Sequence, residues 1–255
     1  MKRVLAAICG LVLTGFPGAA LAQGKDAVQA YVSGQYEEAL DRTANAPDAD
    51  SRAFAARVLL AEAISLDGPP PASLLQSALA EANMALASQP GHIEGRLQKA
   101  IALSLIIRPM SVGEVSRNGW GEEARNLALT VLVEDPDNLY AHGFLAVWNL
   151  EVVRRGGTLG AMVMGASLDK ARGHYRDAVA LAPGDAAIHW QWARALAALN
   201  AKKYRTDIEA ALDAALAAPV ESDLEQVMQN RARNLRQVLD TEGPKAAGKL
   251  AQEML

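Results

Sequence analysis

Small apolar residues recur along this chain at helical spacing, and each run ends on a proline. The stretches Ala78–Ala85–Pro90, Ala124–Val131–Pro136 and Ala171–Ala178–Pro183 share one form: a small residue, a second small one seven positions on, and a proline five further. A weaker copy runs Asp207–Ala214–Pro219. Each predicts a helix that packs through a narrow face and is stopped by a residue with no N–H to donate. The apolar spacing between these stops predicts further helices. The expected elements are Asp26–Val32 leading into 34–40, Ser51–Leu66 with Ala72–Ser88, and His92–Ile107 with Trp120–Glu134. Leu139–Arg154 follows with Ser167–Ala182, then Ala186–Leu199 with Tyr204–Ala217, and last Ser222–Asp240 and Pro244–Met254. Turn signals separate them, among them Gln89-Pro90-Gly91, Asp135-Pro136-Asp137-Asn138 and Ala182-Pro183-Gly184-Asp185. No segment alternates in the period of a strand, so the fold class is all-α.

A helix-sized unit repeated along a chain predicts a stacked array. The residues Gly34-Gln35-Tyr36-Glu37-Glu38-Ala39, Tyr175 and the Ala-x-x-x-x-Pro endings resemble the tetratricopeptide repeat family. The first helix of each unit lacks that family's Trp–Leu–Gly pattern, which leaves its register open by a residue or two. The resemblance implies a right-handed helical-hairpin solenoid of about five helix pairs plus C-terminal capping helices. It also implies a concave face, lined by first helices, that binds protein or peptide, and no catalysis.

The proline stops Pro90, Pro136, Pro183 and Pro219 stand 46, 47 and 36 residues apart. Against a unit of about 34 residues, two consecutive units carry excesses of about 12 and 13. These fall between the two helices of a unit, at 107–118 and 153–165. Equivalent turns of a stack share an edge, so the inserts are expected side by side as one lip. They carry Arg108, Arg117, Arg154 and Arg155 against Glu114 alone, and the second is rich in glycine and methionine. The lip reads either as a basic contact surface or as packing, with Leu159, Met162 and Met164 plugged onto the solenoid edge. On the first helices, Tyr140, Trp190 and Arg194 are expected to face the groove, with Trp120 bordering the first insert. Trp148 and Trp192 read as core.

The first 22 residues change the compartment. Lys2 and Arg3, the apolar run Val4–Phe16 and the small site Ala20-Leu21-Ala22 read as a secretory leader cleaved before Gln23. Residues 23–255 then form a single domain, exported to a bacterial periplasm, with no transmembrane segment. The one cysteine, Cys9, lies in the leader. Removing Lys2 and Arg3 from 25 basic residues leaves 23 against 29 acidic, a net charge of −6. That charge argues against nucleic acid as a partner.

Catalytic chemistry is hard to find. No serine sits in a nucleophile-elbow motif, and the glycines at 156–165 follow no strand, so no cofactor is expected. Of His92, His142, His174 and His189, none pairs with another at i+3 or i+4 and none has a carboxylate in a metal-ligand motif, so no metal site is expected. The expected function is a non-catalytic scaffold for a protein or peptide of the cell envelope. The alternatives are a small-molecule-binding accessory subunit of a periplasmic transport system and, behind it, a cell-wall enzyme. If the leader reading holds, intact mass of the protein recovered from the periplasm should start at Gln23. A product that stays in the cytoplasm at full length would overturn it.

Overall fold

The computed structural model describes residues 18–43, 46 and 48–254, with side chains from Gly24 onward. Most of the expected leader, 1–17, lies outside the described residues, and the expected cleavage point at Gln23 falls within the first helix. The described residues form helices throughout, with no strand. In chain order they are α1 (Gly18–Val32), α2 (Tyr36–Thr43), α3 (Ala49–Ser65), α4 (Ala72–Ser88), α5 (Ile93–Ile106), α6 (Val112–Asn118) and α7 (Trp120–Glu134). Then follow α8 (Leu139–Met164), α9 (Leu168–Leu181), α10 (Ala186–Asn200), α11 (Arg205–Ala217), α12 (Asp223–Thr241) and α13 (Pro244–Glu253). Five hairpins stack in order, α1/α2, α3/α4, α5/α7, α8/α9 and α10/α11, and α12/α13 close the chain. The fold is the all-α helical solenoid that the repeat pattern predicts.

The prolines stop helices as expected. In α4, α7, α9 and α11 the last helical residue lies two before the proline, and the residue between is non-helical: Gln89, Asp135, Ala182 and Ala218. A proline ring clashes with a helical predecessor, which forces that geometry. Two residues past three of these prolines stands an N-cap. His92, Asn138 and Asp185 accept from the backbone N–H of Gly95, Ala141 and Ile188, respectively, and start α5, α8 and α10. Stop and restart are thus written four residues apart in sequence.

The small residues are where the helices meet. Ala78, Ala85, Ala124, Val131, Ala171 and Ala178 are all fully buried. The fourth copy differs by one register step: Asp207 is exposed, and Ile208 and Ala215 take the buried places instead of Asp207 and Ala214. A carboxylate cannot enter an apolar seam without a partner. α11 therefore turns Asp207 outward, where it meets Arg172 at 3.2 Å.

Both inserts are helical. The first forms α6, opened by a capping box between Ser111 and Glu114 and ended by Gly119 at φ 71°. The second prolongs α8 past a break at Gly157, whose φ of 58° and ψ of −161° suit only glycine. Beyond that break, Met164 packs with Trp148 and Ala161, whereas Leu159, Met162 and Val163 are 68%, 71% and 75% exposed. Leu159 and Met162 therefore do not plug the edge. Trp148 and Trp192 are core, as expected.

The last hairpin does more than cap the stack. α13 lies on α10, and α12 packs on α10, α11 and α13 and reaches α3. Arg231 donates to the Leu66 carbonyl at 2.9 Å, and Leu224 joins the cluster of Tyr36 and Val58. The Asp223 side chain sits so close over Gly34 that a Cβ there would lie 2.7 Å from it. α3 and α10 are both first helices, so α12/α13 lie across the inner face and join the two ends of the array. Replacing Ala124 or Ala171 with leucine forces a side chain into a closed seam. Each change should cost about 1–3 kcal/mol in urea unfolding, and unchanged midpoints for both would break the assigned seam.

Candidate functional site: an arginine recess

Three helices and the chain's last residues bring four guanidinium groups together. Glu151, Arg154 and Arg155 come from the last turns of α8 before its break, Arg194 from α10, and Arg108 from the turn after α5. Arg154 grips Glu151 Oε2 with Nε at 3.0 Å and Nη2 at 2.7 Å. Arg194, 3% exposed, approaches Glu151 Oε1 at 3.3 Å and donates from Nε to Gln191 at 3.0 Å. Arg155 donates to the carbonyls of Ile107 and Met110, joining the second insert to the first. The Ile107 carbonyl closes α5, where the helix dipole favours a cation. Arg108 donates to the carbonyls of Gln252, at 3.1 Å, and Met254.

Among the described residues, four positive charges face one negative charge, an excess of +3. Burial and the neighbouring charges both act on these groups. Burial pulls the Arg108 guanidinium down to about 9, and Arg194, Arg154 and Arg155 add to the fall while Glu151 opposes it. Arg194 and Arg155 are lowered too, by burial first. A guanidinium keeps its proton at neutral pH, so these shifts record the cost of partly burying charged groups, eased by Glu151 and added to by the neighbouring arginines. Burial alone would raise Glu151, but Arg194 and Arg154 outweigh it and hold the carboxyl below its ordinary 4.5. Arg154, with its side chain 25% exposed, keeps the recess open to solvent. Chemically the site can bind an anion, since planar guanidinium forks match carboxylate and phosphate oxygens.

Among solved structures, the chain is similar to a thermophilic TPR protein of Thermus thermophilus. The TM-score is 0.51 at 20% identity, over 90% of this chain and 97% of that one. The fold is TPR-like. No protein-family model matches the sequence, and no curated protein matches it.

The TPR-like stack places the expected contact residues unevenly. Arg108, Arg154 and Arg155 meet, and Arg194 joins them from the groove set. Arg117 stands apart, exposed on α6. Trp120 is half-buried against Ala100, Leu103 and Ala124, and Tyr140 against Leu97, Val131 and Ala141. Trp190 is wholly buried, so it does not face a groove as expected, and Arg194 is buried with it. The reason is α12/α13: the covering hairpin turns α10 into the innermost helix. Glu151, Gln191 and the tail carbonyls were not singled out from sequence. Only the i, i+3 spacing of Glu151 and Arg154 gave a local signal.

Two clefts accompany the recess. One of 620 Å³ runs between the end of α10 and α13, past Lys202, Lys245 and Lys249. The other, 300 Å³, lies by Arg172, Tyr175 and Trp192. Neither is lined by residues of 107–118 or 153–165.

Glu151→Gln would leave four guanidinium groups with no carboxylate. A loss of about 1–3 kcal/mol is expected at neutral pH, discounted for the partial exposure of the pair. Because Glu151 is held below its ordinary value, its contribution is present above about pH 4.5 and fades as the pH falls through the lowered value. The gap between wild type and variant in urea unfolding should therefore narrow between about pH 7 and about pH 3.5. A variant as stable as wild type at neutral pH would show that the carboxylate does not hold the recess.

Proposed function

We propose that this protein is a non-catalytic scaffold of the cell envelope, exported to the periplasm, that holds a protein or peptide partner. The recess of Arg108, Arg154, Arg155 and Arg194 takes an acidic group of that partner. The observation that carries the reading is the excess of +3 around Glu151 among the described residues, in a chain whose net charge without Lys2 and Arg3 is −6 (23 basic against 29 acidic). Arg108 now donates to neutral carbonyls. A carboxylate would be the stronger acceptor, because charge-assisted hydrogen bonds are roughly twice as strong as neutral ones. The exposed Leu159, Met162 and Val163 follow Arg154 and Arg155 on the same insert, which suits a ligand that is acidic with apolar neighbours. The TPR-like architecture supports a binding role, since solenoids offer extended surfaces. Neither cleft lies beneath the inserts, so nothing in their placement favours a transport subunit.

A peptide array with matched acidic, neutral and basic sequences around one apolar core tests this. Wild type should select acidic members. Arg108→Ala/Arg154→Ala should bind them about tenfold more weakly at low salt, with a smaller difference at high salt. Equal retention of acidic and basic members, or an unaffected double variant that is folded by circular dichroism, would overturn the reading.

A further inference from the structure

A second cluster lies at the other end of α8, and it rests on none of the residues of the recess. His142 stands one turn into α8; His174 and Asp177 stand on α9, three residues apart and so on one face. The hairpin brings them together. His142 Nδ1 is 3.1 Å from His174 Nδ1 and 3.8 Å from Asp177 Oδ2. One ligand atom from each of the three lies within 4.8 Å of the others.

The His142 ring is oriented by the backbone. Its Nε2 lies 3.0 Å from the Pro136 carbonyl oxygen. That oxygen can only accept, so Nε2 carries the proton and Nδ1 presents a lone pair. The next unit supplies a comparison. His189 occupies the equivalent place, six residues past Pro183, and its Nε2 donates to the Pro183 carbonyl at 2.9 Å. There the Nδ1 lone pair is taken by the Tyr175 hydroxyl at 2.8 Å. In His142 the same lone pair faces a second imidazole and a carboxylate.

We propose that His142, His174 and Asp177 bind a divalent transition-metal ion of the zinc class, a site that links α8 to α9. Two imidazole nitrogens and one carboxylate oxygen form a donor set that zinc takes, with bonds of about 2.0–2.2 Å and the fourth position left to water. Two nitrogens on one tetrahedral ion stand about 3.3 Å apart by that geometry. The observed 3.1 Å therefore needs a slight opening, with His174, the donor of that contact, moving its proton from Nδ1 to Nε2 through solvent. Asp177, 56% exposed at its side chain, is free to swing inward and leaves the fourth position facing solvent. The Pro136 carbonyl behind His142 is the outer partner that metal-bound histidines use to hold ring and tautomer. His142 and His174 are 32 positions apart, so no local spacing in the sequence brings them together.

The test uses untagged protein, stripped with a chelator and titrated with zinc chloride against a chromophoric competitor. One equivalent should bind, and the melting temperature should rise with free zinc, as for any ligand of the folded state. Cobalt(II) should give the visible absorption of a tetrahedral centre. His142→Ala and His174→Ala should abolish binding, and Asp177→Asn should weaken it at least about tenfold. His189→Gln, outside the cluster, should bind as wild type. Asp177 is exposed, so its variant stays informative even if a histidine variant unfolds. Absence of stoichiometric zinc binding by wild type, or unchanged binding by folded Asp177→Asn and His174→Ala, would overturn the site.

Discussion

The helices of this protein touch through alanine, and that constraint governs the rest. The fully buried seam positions Ala78, Ala82, Ala85, Ala124, Ala128, Ala171 and Ala178 let helix backbones approach closely. Alanine loses no side-chain entropy on folding, but it also removes little apolar area from water. A stack built this way gains modestly at each seam and depends on the closeness of fit. It also depends on what ties the units at their ends: the N-caps after the prolines, and arginines that reach carbonyls of other units. Arg155 to Ile107, Arg125 to Met164 and Arg231 to Leu66 are bonds of that kind.

The same economy accounts for the last hairpin. An open solenoid of alanine seams would leave its inner face with large side chains in water. Here α12/α13 fill it, and the principal core forms around Trp190, Trp192, Leu196, Leu212, Leu235 and Leu239. Closure makes α10 the centre of the molecule and moves its aromatic residues from surface to core. It also leaves the arginine recess at the margin of the filled region, where Arg194 is enclosed while Arg154 still meets solvent.

The parts of the fold legible in the sequence are those written locally. Proline stops, caps and the spacing of small residues are read within one turn or one unit, and they located most helices to within about two residues, although α1 starts before Asp26, α8 runs on past Arg154 and the helix α6 was not expected. Asp207 shows the limit within a unit: the spacing pointed to it, but a neighbouring isoleucine was the better seam residue. Trp190 and Arg194 show the limit between units. They were expected to face an open groove, but α12 and α13 pack on α10 and both residues are buried, and no local signal announces a helix that arrives some 50 residues later. The recess was half legible, since its arginines cluster in the inserts. Its organising carboxylate, Glu151, looked like any helix acid until Arg194 came from 43 positions away.

Recess and histidine cluster occupy the two ends of α8's regular part, His142 to Arg154, about 18 Å at the helical rise. Their energetics differ in kind. Each imidazole of the cluster has a partner, so that site can be neutral toward folding. The recess differs: burying Arg194 and half-burying Arg108, Arg154 and Arg155 against one carboxylate and neutral carbonyls carries a desolvation cost that well-packed apolar residues would not. The recess lies at a junction of three helices with Arg154 still open to solvent. An anion there would offset the excess of positive charge among the described residues, and free energy withheld in the unbound state would then become part of its affinity.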